Sequence, residues 1–70
     1  MELIINGQAQ DSAATTVDAV VRALTDAGDG AVPGGIAVAV NDEVVRRTAW
    51  THTELSAGDR VDVLTAVQGG

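Results

Sequence analysis

The chain has no cysteine, no lysine, a single histidine, a single proline and a single aromatic residue, Trp50, in 70 residues. Each scarcity excludes something. Without cysteine there is neither a disulfide framework nor a thiolate metal site. One histidine without a second or a cysteine beside it cannot anchor a zinc centre. With one aromatic residue, the core must be aliphatic. No apolar run approaches the roughly 20 residues that a membrane span requires. The opening Met-Glu-Leu-Ile-Ile lacks a basic n-region and a cleavage site, so no signal peptide is read there and a cytoplasmic location is expected. The missing lysine, beside abundant alanine, valine, glycine and arginine, fits genomic base composition, and no mechanism rests on it.

What is present is an acidic, moderately apolar chain. Ten acids against four arginines give a net charge of −6, and 46% of residues are hydrophobic. The charge argues against nucleic acid, which needs a basic face, and against an anionic membrane surface. It keeps a small protein soluble and would equally suit a basic protein partner. A chain of this length forms one domain, with marginal stability.

Apolar patterning predicts a hairpin, a helix and further strands. Leu3-Ile4-Ile5 is a run of β-formers, and Asn6-Gly7 is a strong hairpin signal because both residues tolerate positive φ. Gln8 to Ser12 returns as a polar edge strand. Thr15 is expected to cap a helix over Thr16 to Ala27, with Asp18 reaching back to the cap amide and pairing with Arg22. Val17, Val20, Val21 and Leu24 form its apolar stripe, and Gly28 ends it. On that reading Leu24→Ala removes about 2–5 kcal/mol. Gly28 to Gly35 is a flexible connection; it does not lead from a strand into a helix, and no Gly-Lys-Ser/Thr follows, so it is not a phosphate loop. Ile36 to Val40 is the cleanest strand, turned by Asn41-Asp42 into a short strand at Glu43 to Val45. A helical turn is expected over Thr51 to Leu55, a tight turn at Ala57-Gly58-Asp59, and a last strand over Arg60 to Val67.

One helix covers one side of a mixed sheet. Period-two counting places Ile4, Ala37, Ala39, Leu64 and Ala66 on the other side, an apolar set for an uncovered face and hence a candidate partner surface. Side-chain catalysis finds little support. Thr51-His52-Thr53-Glu54 sets a base beside a hydroxyl, but sequence neighbours rarely point at one another, and so small a chain has no room for a pocket. Arg46 reads as a solvated side chain, and Trp50 as a packing anchor at the edge of the core. The ending, Gln68-Gly69-Gly70, is either a frayed end or an extended carboxylate arm. Glycine has no Cβ to clash in a narrow channel, so the arm could thread a partner's active site.

Taken together, "IINGQ", "GIAVAVNDEVVRRTAW" and "LSAGDRVDVLTAVQGG" resemble the ThiS family, the ubiquitin-like sulfur carriers of thiamine biosynthesis, over nearly the whole chain. The resemblance implies an α+β, ubiquitin-like β-grasp fold, with a domain over residues 1–67 and a flexible tail over 68–70. It also implies a protein co-substrate and not an enzyme. An adenylating enzyme resembling the ubiquitin-activating enzymes, using ATP and magnesium, would activate the Gly70 carboxylate. A sulfur donor such as a cysteine desulfurase would convert it to a thiocarboxylate, and thiazole synthase would receive the sulfur. No cofactor would be bound by the chain itself.

Residue by residue, Gly70 matches the modified position and Gly69 the rest of the tail, with Gln68, Val67 and Ala66 in the partner's channel. Leu64, Ala39 and Ile4 are the expected docking residues. Asn41, Arg47, Trp50, Gly58 and Asp59 match positions that read as structural. Arg46 departs from the family, which commonly has proline there. Related carriers, such as the small subunit of molybdopterin synthase or those of cysteine and tRNA thiolation, share the fold and tail. A β-grasp interaction module without tail chemistry is the reading from another class.

Overall fold

In the computed structural model, residues 1–28 and 30–65 are described. The strands are β1 (Glu2–Ile5), β2 (Gln8–Asp11), β3 (Ile36–Val40), β4 (Glu43–Val45) and β5 (Arg60–Thr65). One helix, α1 (Val17–Thr25), follows β2, and a 3-10 helix (Arg47–His52) follows β4. The five strands form one sheet in the order β2-β1-β5-β3-β4. The central β1–β5 pairing is parallel and the others are antiparallel. This is the expected mixed sheet with one main helix. The predicted extension of the last strand to Val67 and the tail at 68–70 lie outside the described residues.

Both hairpin turns are legible in their residues. Asn6 and Gly7 have φ of 50° and 82°, and Asn41 and Asp42 have 50° and 70°. Consecutive left-handed residues match the right-handed twist of the flanking strands. The β2 edge is polar and exposed along its length.

The helix begins one residue later than expected. Thr16, not Thr15, is the cap: its hydroxyl accepts the Ala19 amide at 3.2 Å. The Thr15 carbonyl is engaged elsewhere, accepting the Leu55 amide at 2.8 Å. The cap therefore shifts, and Asp18 turns to Arg22, accepting from its Nε at 2.9 Å. The helix also ends earlier, at Thr25, with Asp26 in the left-handed cap (φ 58°) in place of Gly28. Aspartate tolerates that conformation, and the Thr25 hydroxyl, donating to the Val21 carbonyl at 2.8 Å, sits in the final turn.

The core contains Leu3, Ile5, Val17, Val20, Val21, Val38, Val61 and Val63, as the periodicity predicts, with Ile36 and Val40 packed against it. Leu24 is not part of it: in the last helical turn it is 46% exposed. Val32, from the connection after the helix, is buried instead, as are Leu55 and Trp50. Trp50 is no edge residue; it is 2% exposed, and its indole N–H donates to the Val45 carbonyl at 3.1 Å. The 3-10 helix takes up Arg47 to His52, where a turn was expected over Thr51 to Leu55. Leu55 is drawn inward because Thr53 to Leu55 pairs with Thr15 to Val17: the Val17 amide donates to the Thr53 carbonyl and the Leu55 amide to that of Thr15.

Candidate functional site

The helix covers the sheet face that carries Leu3, Ile5, Val38, Val61 and Val63. Strand alternation puts the remaining residues on the opposite face, and the register arranges them in rows. Leu64 lies opposite Ala37; Asp62 opposite Ala39, which in turn faces Val44; and Arg60 opposite Ile4, which faces Ala9. The row nearest the end of β5 is the most apolar. There Leu64 is 70% exposed, and Val44, one row away, is 77% exposed. Ala37 is exposed, while Ala39 and Ile4 are half-buried. The three docking residues read from the sequence thus share one face. Ala66, expected there too, lies outside the described residues, as do Val67, Gln68, Gly69 and Gly70.

Sequence reasoning missed Val44. Turn length alone would have found it: a two-residue turn at Asn41-Asp42 pairs Val40 with Glu43, and therefore Ala39 with Val44.

Electrostatically the face is acid-bordered. Asp62 lies within it, Glu2 and Asp11 pair across β1 and β2, and Arg60 is drawn to Asp42 at 2.5 Å. Three of the four arginines are engaged internally. Arg22 binds Asp18 and the Gly28 and Gly30 carbonyls. Arg47 donates to the Val32 and Pro33 carbonyls, and Arg60 completes the set. Arg46 alone has no such partner among the described residues.

The other motif residues hold the scaffold. The Asn41 side chain accepts the Arg60 amide at 2.9 Å and donates to Asp59 at 3.1 Å. Asp59 also accepts the Ser56 amide at 2.8 Å, closing the turn in which Gly58 has φ 89°. The bond from the Ser56 amide, and then that from Asn41, holds the Asp59 carboxyl below the ordinary aspartate range. His52 is exposed at the end of the 3-10 helix. Among the described residues no three His, Asp or Glu side chains come together as metal ligands, no cavity is found, and no helix is long and apolar enough to cross a membrane. What the geometry offers is a surface for docking.

Comparison with known proteins agrees with this architecture. The crystal structure of the thiamine biosynthesis protein ThiS from Geobacter metallireducens superposes with a TM-score of 0.75 at 29% sequence identity, over 100% of both chains. No curated protein matches significantly. Sheet order, single helix and this likeness define a ubiquitin-like β-grasp domain. The sequence pattern of the ThiS family matches residues 3–70, and the chain belongs to that family of small sulfur carriers.

Proposed function

We propose that this protein carries sulfur as a thiocarboxylate on Gly70 and delivers it to thiazole synthase for the thiazole of thiamine. The observation that carries the reading is the ThiS family match, which runs through Gly69 and Gly70. The chemistry follows from the needs of a carboxylate, which is inert toward sulfur until it has a leaving group. On an adenylating enzyme, with ATP and magnesium, the Gly70 carboxylate attacks the α-phosphate, pyrophosphate leaves and an acyl-adenylate forms. The terminal sulfur of a persulfide, supplied by a cysteine desulfurase, then adds to the acyl carbon and AMP departs. A thiol reduces the resulting acyl disulfide and frees the thiocarboxylate. That group is an anionic, soft nucleophile at neutral pH, and it keeps the sulfur tethered.

The open sheet face is the proposed docking surface for the adenylating enzyme and for thiazole synthase, with Leu64, Val44, Ala39 and Ile4 in contact. It is apolar where a free monomer has no need to be, and Leu64 stands one residue before the end of β5. The net charge of −6, with most arginines engaged internally, favours encounter with a basic site, so association slows as salt rises.

The test is ATP–pyrophosphate exchange by the cognate adenylating enzyme. Deleting Gly70 withdraws the carboxyl by one residue's reach, about 3.3–3.6 Å, farther than in-line attack tolerates. The expected result is a folded protein with no exchange. Adding one residue after Gly70 has the same result, and Gly70→Ala folds but exchanges poorly. Leu64→Asp leaves the domain folded and weakens both complexes. Wild-type exchange by the deletion variant would falsify the reading.

A further inference from the structure

The connection at 28–35 contains four of the eight glycines in the chain, a composition that holds no shape by itself. Two arginines bind its carbonyls. Arg22 donates from one nitrogen to Gly28 and Gly30, at 2.8 and 2.5 Å, near the start. Near the end, Arg47 uses both terminal nitrogens, at 2.9 Å to the Pro33 carbonyl and 2.5 Å to that of Val32. Arg47 is itself fixed. It stands at the first position of the 3-10 helix, with its guanidinium carbon 5.3 Å from the Trp50 ring centroid, and Trp50 is buried and bonded to the Val45 carbonyl. The β4 corner is thereby tied to the backbone that enters β3.

Three residues beyond Pro33 that backbone becomes β3. Its first residue, Ile36, pairs with Thr65, the last residue of β5, and the next rung joins Ala37 to Leu64. Whatever fixes the entry to β3 therefore fixes the end of β5 and one side of the exposed apolar row. We propose that Arg47 is a positioning residue: by holding two successive carbonyls of the glycine-rich connection, it keeps the end of β5, and with it the Ala37–Leu64 row of the docking face, in one arrangement. A guanidinium suits this task because its rigid planar fork aims two donors in fixed directions, where an ammonium is a compact point charge with rotating donors on a flexible stem. Without it the connection regains freedom, the Ala37–Leu64 rung opens more often, and that row of the docking face is in place for only part of the time. The kinetic consequence rests on the function proposed above. If only a fraction of molecules present the docking row in place, apparent affinity falls by that fraction, while turnover at saturation does not.

The experiment has two arms on folded, full-length protein. The first is amide hydrogen exchange in Arg47→Ala and Arg47→Lys. Amides of Ala37 and Leu64, the hydrogen-bonded pair next to that end of the β3–β5 ladder, should exchange faster than in wild type, while those of Leu3 and Val61 keep their rates. Arg47→Lys, which retains the charge over Trp50, should fall between. The second arm is ATP–pyrophosphate exchange below the melting transition of each variant. KM for the carrier should rise about three- to tenfold, the factor by which the competent fraction falls, with kcat within twofold. A variant that is merely less stable would keep its KM while folded. Unchanged exchange at Ala37 and Leu64 overturns the structural claim, and faster exchange with wild-type KM overturns the positioning role. If Arg47→Ala does not fold, Arg47→Lys decides both arms. Absence of activity with wild-type carrier would count against the proposed function alone, and the first arm would still decide the role of Arg47.

Discussion

Asn6 and Asn41 occupy the two hairpin turns, each at φ 50°, and each side chain reaches the same strand. Asn6 accepts the Val63 amide at 2.8 Å and Asn41 the Arg60 amide at 2.9 Å. Asparagine meets two demands at once there, a left-handed backbone and an acceptor aimed sideways. Only the first demand is local. That is why Asn6-Gly7 and Asn41-Asp42 read as turns from sequence, while their bonds to β5, made to residues distant in the chain, did not. Leu24 shows the converse. Its spacing from Val17 is helical, but whether anything covers it depends on where the helix stops and where Val32 arrives. The expected energetics change accordingly. Leu3, fully buried, should lose about 2–5 kcal/mol on truncation to alanine. Leu24→Ala should lose about 1 kcal/mol or less. Urea midpoints of the two variants check this, and a larger loss at Leu24 would contradict its exposure.

At the scale of elements, strands were easier to read than helix ends. Apolar alternation and two-residue turns set β1 to β4 almost to the residue, because both signals are local. The cap at Thr16, the early stop at Thr25 and the place of the 3-10 helix depend on pairings between distant segments, Thr15 with Leu55 above all. The docking face was legible for the same reason as the strands, with Val44 recoverable by register. Arg46, the departure from the family pattern, sits at φ −67° and ψ 146° just after β4. Those are dihedrals that proline itself adopts, and the preceding residue, Val45, is extended, as a residue before proline must be. Arg46→Pro should therefore be accepted without rearrangement and stabilise the domain by about 0.4–1 kcal/mol, by restricting the unfolded chain. Thermal melts of the two proteins test it; a lowered midpoint would mean that the Arg46 side chain or amide makes a contact worth more.

For the whole molecule, the decisive feature is that the last strand in sequence is the central one in space. β1 with β2 and β3 with β4 are two hairpins, each held by its own turn. They meet only through β5, which pairs with β1 on one side and β3 on the other. During synthesis both hairpins are complete while the sheet is still in two halves, each with an unpaired inner edge. Isolated hairpins are marginal in water, so native order must wait for the strand that joins them, and the loop-closing entropy falls due in one step. A fragment ending at Ala57 should therefore show no cooperative unfolding transition in far-ultraviolet circular dichroism, while the full chain melts in a single one. The strand that leads toward the proposed sulfur-bearing residue is thus also the strand that completes the fold. A chain that has not finished folding has no assembled docking face to offer a partner, so the order of assembly itself separates finished carriers from unfinished ones.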